Sequence, residues 1–318
     1  MSDYILEFEK PIAELEKKIK EMKDYSESEN VEISDEVSRL EQKAAKLRVE
    51  IFSKLSRWQR VQLARHPERP YTRDYIERIT DYFFEMHGDR AYGDDPAIIA
   101  GMGCISSKNV AIIGQQKGRT TKQKLHRNFG MPHPEGYRKA LRVMKVAAKF
   151  KRPIICFVDT PGAFPGIGAE ERGQAEAIAR NLFEMSKLTV PIIVIIIGEG
   201  ASGGALGIGI GDRILMLENT WFSVISPEGC AAILWRDSTK SQQAAEAMKV
   251  TATDLIEMGI VDKSVPEPAG GAHHNHDEAA RIVKEHILTE LKELEHIAPE
   301  KLIELRIEKY AKMGFFEE

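Results

Sequence analysis

The sequence places a group of small residues directly after its most apolar stretch. Val190–Ile197 contains eight apolar, mostly β-branched residues and predicts a strand buried on both faces of a sheet. The small residues that follow it are Gly198, Gly200, Ala201, Ser202, Gly203 and Gly204. A buried strand that leads through such a turn into a helix leaves N–H groups unpaired at the helix start, where the helix dipole adds about half a positive charge. Because glycine lets a ligand approach the backbone closely, the stretch predicts a site for an oxyanion or a phosphate.

Three patterns overlap on these residues, and each predicts different chemistry. Gly198–Gly203 matches G-x-G-x-x-G, the dinucleotide fingerprint, and Glu218 follows about twenty residues later. Gly200–Gly204 matches G-x-S-x-G, in which Ser202 would be a nucleophile. In the third interpretation the backbone N–H groups at 203 and 204 stabilise an oxyanion, and no side chain reacts. These residues alone leave all three interpretations open.

An earlier strand–turn unit resembles this one. Pro153-Ile154-Ile155 matches 191–193 and Gly162-Ala163 matches 200–201, each at an offset of 38 residues. Equal offsets predict successive turns of one superhelix, with the loops after the strands on the same edge. We therefore expect the N–H groups of Gly162 and Ala163 to lie beside those of Gly203 and Gly204. Donors converging from two adjacent turns would form an oxyanion hole.

The elements around these turns alternate between strand and helix from about residue 90 to 265, which is an α/β pattern. The expected strands are Val110–Gly114, Pro153–Asp159, Val190–Ile197, Arg213–Leu217, Trp221–Ile225 and Ile260–Asp262. The expected helices are Gly136–Phe150, Ala169–Leu188, Ala205–Ile210, Pro227–Trp235 and Thr253–Met258. A loop over 266–277 then leads to two terminal helices, 277–295 and 299–313.

The beginning of the chain differs from this pattern. Residues 1–88 predict a helical region, and residues 89–318 predict the α/β domain with C-terminal helices from about 277. Two charged segments with one narrow apolar seam, separated by the polar stretch Ser26–Asn30, predict a helical hairpin. Tyr71–Met86 predicts a further helix with Thr72 as its N-cap. The hairpin would cover another surface or extend into solvent as a charged arm.

Composition excludes several classes of protein. The 318 residues are 42% hydrophobic and carry a net charge of −4, which gives no electrostatic case for nucleic acid as a partner. Cys104, Cys156 and Cys230 form no C-x-x-C pair, so neither a zinc ribbon nor a disulfide framework is indicated. The longest apolar run is about eight residues against the ~20 that cross a bilayer, and Met1–Lys10 is too polar for a signal peptide. We expect a cytoplasmic protein without a membrane partner.

Two clusters of polar side chains permit either a functional or a structural interpretation. A basic stretch would contact a CoA phosphate or a carrier protein, or would be a solvated loop or subunit contact. It comprises Lys117, Arg119, Lys122, Lys124 and Arg127. The other cluster, His273, His274 and His276, lacks carboxylates at fixed helical spacing, so a solvated loop is favoured over a metal site.

Four long segments resemble the alpha subunit of bacterial acetyl-CoA carboxylase carboxyltransferase. They are residues 117–144, DTPGAFPGIGAEERGQ at 159–174, GEGASGGALGIGIGD at 198–212 and SPEGCAAILWRD at 226–237, and the similarity extends from the hairpin to about residue 315. The resemblance implies a crotonase (ClpP/crotonase-like) fold, a spiral of ββα turns with an N-terminal helical hairpin and C-terminal helices. Where relatives often carry His and Asp, this sequence has Gln115 and Thr120, which weakens a side-chain mechanism there.

The resemblance also implies a reaction and its partners. A transferase active only with a zinc-ribbon beta subunit, as α2β2, would move the carboxyl group from carboxybiotin to acetyl-CoA and form malonyl-CoA. This is the first committed step of fatty acid synthesis. Biotin would be attached to a separate biotin carboxyl carrier protein, and ATP would be used by a biotin carboxylase partner, with no metal on this chain.

The site residues follow from the same resemblance. The backbone N–H groups of Gly203, Gly204, Gly162 and Ala163 would stabilise oxyanions. Gly200, Ala201, Ser202 and Phe164 would lie on the carboxybiotin side. The departing biotin nitrogen would serve as the base, which agrees with the lack of an obvious acid–base pair in the sequence.

Other functions remain as alternatives. A crotonase-fold serine hydrolase would need a base for Ser202, but no histidine lies between His133 and His273. A dinucleotide-binding enzyme would carry its fingerprint near the first strand of a domain, whereas two strand–turn units precede it here. A non-catalytic scaffold would use the hairpin and terminal helices for assembly while a partner performs the chemistry.

Overall fold

The computed structural model describes residues 4–29 and 33–314. Within these residues an eight-stranded mixed sheet forms the centre of the chain. Its strands are β1 (Tyr82–Glu85), β2 (Ile98–Ile105), β3 (Lys108–Gln115), β4 (Ile154–Thr160), β5 (Ile192–Ala201), β6 (Arg213–Leu217), β7 (Trp221–Ser223) and β8 (Lys263–Val265). The order is β1-β2-β3-β4-β5-β6-β8, and β7 pairs with the end of β5. β1, β2 and β3 pair antiparallel, whereas every later pairing is parallel.

Helices cover both faces of this sheet. They are α1 (Lys10–Glu29), α2 (Ser34–Ser53), α3 (Arg57–Ala64), α4 (Thr72–Ile79), α5 (Thr121–His126), α6 (Pro134–Lys149), α7 (Ile167–Glu171), α8 (Gln174–Met185), α9 (Ser202–Leu206), α10 (Pro227–Trp235), α11 (Ser241–Met248), α12 (Ala252–Glu257), α13 (His276–Leu294) and α14 (Pro299–Ala311). α6 and α8 pack on the face that includes Cys156 and Val194, and α4 and α13 pack on the face that includes Phe157 and Ile195. Because β4 and β5 are buried on both faces, their sequences are continuous apolar runs.

Most predicted elements are present, and several differ in extent. β3, β4, β5, β6, α6 and α10 confirm the predictions within a few residues, except that β5 continues to Ala201. The prediction of a single helix over Ala169–Leu188 is wrong, because Gly173, with φ 81°, separates α7 from α8. The helix predicted at Ala205–Ile210 lies instead at Ser202–Leu206, so the prediction is wrong after Leu206, and the strand predicted at Ile260–Asp262 lies at Lys263–Val265.

The predicted helix Tyr71–Met86 is also wrong beyond its first half. α4 begins at Thr72, with Tyr71 rather than Thr72 as its N-cap, and ends at Ile79. The aromatic segment that follows forms β1 and pairs with β2. Gly101 of β2 makes this pairing possible, because a Cβ there would lie 2.2 Å from the carbonyl oxygen of Phe84. The division into residues 1–88 and 89–318 stays a prediction.

The N-terminal hairpin forms as expected from its apolar seam. α1 and α2 pack through Ile19, Val37 and Ala44, a cluster separate from the cores on the sheet. An ion pair between Arg48 and Glu16 crosses the hairpin. The first helix continues through Glu29, and the rest of the predicted polar break lies outside the described residues. In the part of the chain that is described, no helix has the length and apolar character that crossing a membrane requires.

Candidate active site

The ends of β4 and β5 lie side by side, but their repeat breaks before the turns. The strands pair in parallel with the predicted offset of 38, from Ile154 with Ile192 to Val158 with Ile196. A register shift follows, and Thr160 pairs with Gly200. β5 continues because its end pairs with β7, as Ala201 does with Ser223. The repeat is therefore confirmed for the strands, while the equivalence of Gly162-Ala163 with Gly200-Ala201 is not.

This shift changes the place of two residues predicted on the carboxybiotin side. Gly200 and Ala201 belong to β5 rather than to a turn. A Cβ on Gly200 would lie 2.7 Å from the Phe222 ring, so glycine is needed there for packing between strands. Phe164 lies on the other turn, where its ring stacks on His133 with centroids 4.1 Å apart. Of the four predicted residues, Ser202 is the one at the start of α9.

The two turns nevertheless meet, as the sequence predicted. A Cβ added to Gly204 would lie 2.4 Å from the carbonyl carbon of Gly162 and 2.5 Å from the nitrogen of Ala163. No side chain fits at such a distance, so glycine at 204 lets the turns touch. Gly203 is different, because its added Cβ would meet Ile178 Cδ1 at an ordinary 3.6 Å.

Three backbone N–H groups near this contact have no recorded acceptor among the described residues. They belong to Ala163 and to Gly203 and Gly204, and the last two lie in the first turn of α9, where an N–H has no partner within the helix. Gly162 was expected to be a fourth donor, and this is wrong. Its N–H donates to Thr160 Oγ1 at 3.1 Å. Gly162 instead supplies a φ of 146°, which glycine adopts without strain.

Ser202 lies at a strand-to-helix turn with a positive φ, but no histidine lines the cavity beside it. Its φ is 57°, and it is exposed at the junction of strand and helix. It lines a mostly apolar cavity of about 290 Å³. The other lining residues are Leu206, Phe222, Ser223, Val224, Met248, Lys249, Val250, Leu255, Met258 and Ile260. No histidine lines this cavity among the described residues, so a Ser-His pair is not formed there, and Lys249 is the one basic side chain in the lining.

A buried network of charges lies beneath the two strand ends. Lys117 Nζ is 2.7 Å from Asp159 Oδ1 and 2.6 Å from Glu199 Oε2. Arg65 extends the network, with its Nε 2.7 Å from Glu199 Oε1 and its Nη1 2.6 Å from Glu228 Oε1. Glu199 N–H also donates to Asp159 Oδ1 at 3.0 Å. The network holds a carboxylate near the end of each strand, Asp159 just before the last residue of β4 and Glu199 two residues before the end of β5.

This environment shifts the pKa values of Asp159 and Glu199 in opposite directions. Burial raises the pKa of Asp159, although Lys117 acts against the rise. Burial would also raise the pKa of Glu199, but the charges of Lys117 and Arg65 outweigh it and hold that pKa below its usual range. The same two partners raise the pKa of Lys117 against its own desolvation. Lys117 therefore remains charged inside the protein.

Gln115 connects the two turns through one side chain. Its Oε1 accepts the N–H of Asp159 at 2.9 Å, and its Nε2 donates to the carbonyl oxygen of Gly204 at 2.8 Å. The hydroxyl of Tyr137 donates to the same carbonyl at 3.2 Å. Sequence reasoning missed Gln115 and the role of Lys117. The signal available was that both polar residues directly end or follow the buried strand β3.

The predicted basic stretch does not form one surface. Lys117 belongs to the buried network, and Arg119 binds Asp74 with Nη2 at 2.7 Å from the carboxylate. Arg127 donates to the carbonyl of Pro96. Lys122 and Lys124 are exposed on α5. A contact with CoA or a carrier protein therefore remains a hypothesis for these two lysines alone.

The histidine cluster is also divided. His276 is on the surface, where its Nε2 lies 2.6 Å from the carbonyl oxygen of Glu68. His273 is buried, with its ring 4.0 Å from that of His66 and its Nε2 2.9 Å from Glu9 Oε1. The expected solvated loop is therefore wrong for His273, because residues from the N-terminal segment and from the end of α3 cover it.

Comparison with known proteins adds to this geometry. The sequence model of the family described as acetyl co-enzyme A carboxylase carboxyltransferase-like matches residues 5–314. The acetyl-coenzyme A carboxylase carboxyl transferase subunit alpha of Geobacter metallireducens is 59% identical over 317 residues, covering 100% of this chain and 99% of the relative. The subunit of the same name from Methylococcus capsulatus is 55% identical over 313 residues, covering 98% of each chain.

Solved structures with lower identity show the fold. Transcarboxylase 12S with methylmalonyl-coenzyme A matches with a TM-score of 0.56 and 19% identity over 79% of this chain. The match spans 43% of the transcarboxylase chain, less than half its length. A chain of a Pseudomonas malonate decarboxylase hetero-tetramer in complex with coenzyme A matches with a TM-score of 0.58 and 14% identity, covering 75% of this chain and 94% of that one. The predicted crotonase-like α/β fold is confirmed.

Proposed function

The chain belongs to the family of acetyl-CoA carboxylase carboxyltransferase alpha subunits, and from that premise we propose how its two strand ends take part in catalysis. Proteins of this family carboxylate acetyl-CoA for fatty acid synthesis, so the chain is a subunit of a carboxyl-transferring enzyme. The chemistry is biotin-dependent, its substrates are CoA esters, and an alpha subunit implies a beta subunit. The following proposals concern which residues of this chain take part in carboxyl transfer and what each of them does.

We propose that the N–H groups of Ala163, Gly203 and Gly204 stabilise the negative charge that develops on an oxygen during transfer. The observation that carries this proposal is the contact of Gly204 with the Gly162–Ala163 turn, which brings three donors without recorded acceptors together. Removing one such preorganised donor typically reduces the rate by about 10²–10³. These N–H groups would stabilise charge and accept no proton; bound biotin would supply the base through its nitrogen, so we propose no side-chain base on this chain.

The surroundings of these donors suit a biotin head group. The cavity lined by Ser202 is largely apolar, with Leu206 and Phe222 among its walls, and it adjoins the start of α9. An apolar wall beside N–H donors fits the biotin head group, in which an apolar thioether ring is fused to a ureido ring with a carbonyl oxygen and two nitrogens. Bound biotin supplies the carboxyl group that is transferred. We propose that Ser202 and Phe222 hold the ring, while the beta subunit holds the CoA thioester.

Gln115 and Lys117 are proposed to position this site rather than to react. The Gln115 amide fixes Asp159 and Gly204 relative to each other, and Lys117 neutralises the two carboxylates at the strand ends. Preorganisation of this kind matters because a donor contributes only when it is already directed at the developing charge. Gly162 belongs with these residues, since its role is conformational.

The finer assembly is proposed from the family. We propose an α2β2 complex with a zinc-ribbon beta subunit, served by a biotin carboxyl carrier protein and by a biotin carboxylase that uses ATP. The malonate decarboxylase neighbour is itself a hetero-tetramer. Exposed apolar side chains before and on α10, namely Val224, Ile233 and Leu234, are 77%, 71% and 64% exposed and suit a subunit interface. The cytoplasmic location stays a prediction.

The decisive test is the reverse reaction, malonyl-CoA-dependent carboxylation of biocytin. The chain is assayed alone and after co-expression with a zinc-ribbon beta subunit. We expect activity only with both chains. Activity from this chain alone would contradict the placement of the CoA side on the partner, and an inactive but well-formed complex would contradict the proposed carboxyltransferase site.

Ser202 provides a second arm of the same test. We expect the Ser202→Ala complex to keep measurable carboxyl transfer, since the proposed site uses backbone groups of the neighbouring residues. Labelling of the wild-type chain by a fluorophosphonate, lost in Ser202→Ala, would instead support the hydrolase interpretation.

A further inference from the structure

A second cavity lies at the base of the hairpin and shares no lining residue with the Ser202 cavity. Its volume is about 280 Å³. Six of its lining side chains are imidazoles or carboxylates: His66, His273, His274, Glu9, Glu16 and Glu68. The chain has nine histidines, so a third of them line this one cavity. Such a concentration of nitrogen and carboxylate oxygen donors is typical of metal sites.

Three of these residues lie close together and are buried. Glu9, His66 and His273 each offer one ligand atom, and these atoms all lie within 4.8 Å of one another. Glu9 is 6% exposed and His66 is 2% exposed. His273 Nε2 is 2.9 Å from Glu9 Oε1, and His274 Nε2 is 3.9 Å from the same oxygen. The Glu9 carboxylate therefore has imidazole nitrogens around one of its oxygens.

The cluster is costly as a purely structural feature. His273 Nδ1 is buried without a hydrogen-bond partner in the described part of the chain, and an unsatisfied buried polar atom costs about 1–3 kcal/mol. The other oxygen of Glu9 accepts the N–H of Leu6 at 3.0 Å, which orients the carboxylate toward His273.

We propose that Glu9, His66 and His273 bind a divalent transition metal of the zinc class. Two imidazoles and one carboxylate are a common zinc donor set, and water from the cavity would complete the coordination. Glu9 precedes α1, His66 follows α3, and His273 lies in the loop before α13, 264 residues from Glu9. The metal would therefore fasten the hairpin to the sheet domain. This proposal replaces the expectation of no metal on this chain, and it does not depend on carboxyl transfer.

Metal content of the full chain tests the proposal. The chain is purified without a histidine tag, incubated with ZnCl₂ and dialysed against metal-free buffer, and its zinc is measured by inductively coupled plasma mass spectrometry. Omitting the beta subunit avoids counting zinc from a zinc ribbon. We expect about one zinc per chain and a higher unfolding temperature with zinc than without. A chain that retains no zinc after dialysis overturns the proposal.

Matched variants locate the site. Glu9→Gln and His273→Gln keep the side-chain size approximately, and each is expected to weaken zinc binding by at least about tenfold. His296→Gln changes an exposed histidine outside the cavity and should retain zinc as the wild type does. Equal zinc content in all four proteins would overturn the assignment to this cluster.

Cobalt spectroscopy on the wild type keeps the test valid if a variant fails to fold. Co²⁺ bound in a four-coordinate protein site absorbs visible light far more strongly than Co²⁺ in water. We expect intense visible bands when Co²⁺ is added to the metal-free chain, and loss of these bands when Zn²⁺ is added. A spectrum identical to that of aqueous Co²⁺ contradicts the proposal.

Discussion

The two strand ends that meet at the candidate site share a sequence pattern but are held by different means. Each strand is buried, ends near a carboxylate and leads to a glycine. At the end of β4, Gly162 adopts φ 146°, and a Cβ added there would have no neighbour within 4 Å. At α9, after β5, Gly204 has no positive φ, but its added Cβ would collide with the other turn. One glycine is required by conformation, and the other is required by contact.

The carboxylates near the two strand ends also differ, because their pKa values are shifted in opposite directions. Burial raises the pKa of Asp159, whereas two cations, Lys117 and Arg65, hold the pKa of Glu199 below its usual range. The comparison teaches that neither glycine nor acid can be assigned a role from its pattern alone. The role of each glycine and each carboxylate depends on the atoms around it, so substitutions at these positions are expected to have different effects.

Lys117→Met should produce the largest effect, because it removes the cation that both strand ends share. Breaking a buried ion pair by removing one partner costs about 3–5 kcal/mol. We expect the free energy of unfolding, measured by urea titration, to fall by that amount. Lys122→Met, at an exposed lysine of α5, is the matched control and should change stability little. Similar losses of unfolding free energy in both variants would show that the buried network does not stabilise the two strand ends.

Gly204→Ala should abolish most activity with less damage to the fold. The added methyl must separate the two turns and, with them, the three N–H groups proposed to stabilise the oxyanion. We expect biocytin carboxylation by the assembled complex to fall about 10²–10³-fold. Gly203→Ala keeps its N–H and meets Ile178 at 3.6 Å, so its loss should be below about tenfold. Near-normal turnover by Gly204→Ala would favour the scaffold interpretation.

Gly162→Ala should affect stability through the backbone rather than through contact. The site has room for the methyl group, but a φ of 146° is strained for alanine, at a cost of about 1–3 kcal/mol. We expect the unfolding free energy to fall by that amount, with a smaller loss of turnover than in Gly204→Ala. If Gly162→Ala loses as much turnover as Gly204→Ala, the two glycines do not differ as described.

These differences also show what the sequence can predict. The eight apolar residues before Gly198 and the 38-residue offset predicted β5, β4 and their parallel pairing, because local pattern determines which strands are buried. The register shift at Thr160 depends on β7, which pairs with the end of β5, and no local pattern contains that contact. The meeting of the turns was predicted, but the use of the Gly162 N–H by Thr160 was not.

Polar contacts between distant segments were the least predictable. Gln115 ends β3 and Lys117 follows it, and their partners Asp159, Glu199 and Gly204 lie 42 to 89 residues away in the chain. The three-histidine motif predicted a solvated loop, whereas His273 packs against Glu9 and His66, which come from other parts of the chain. The spacing of residues in the sequence predicts contacts within one helix or strand, whereas contacts between different elements depend on tertiary packing.

The smallest predicted effect separates the two carboxylates by pH. Asp159 faces Lys117, Glu199 and Arg69, and Glu199 faces Lys117, Arg65 and Asp159. A lowered pKa means that ionised Glu199 contributes stability at neutral pH and loses it as pH falls through that lowered pKa, below 4.5. A raised pKa means that the native state binds the Asp159 proton more tightly, so this contribution weakens as pH rises above 3.8.

Asp159→Asn and Glu199→Gln test this difference as a pair of isosteric variants. At pH 7 we expect Glu199→Gln to cost more stability than Asp159→Asn, because cations stabilise the ionised form of Glu199 whereas burial opposes ionisation of Asp159. Below pH 4.5 the cost of Glu199→Gln should shrink as the wild-type carboxylate becomes protonated, while the relative cost of Asp159→Asn should grow. Urea titrations of the wild type and both variants at a series of pH values measure these costs. Parallel pH profiles for the two variants would show that the strand ends are electrostatically equivalent, and the contrast between them would then rest on the glycines alone.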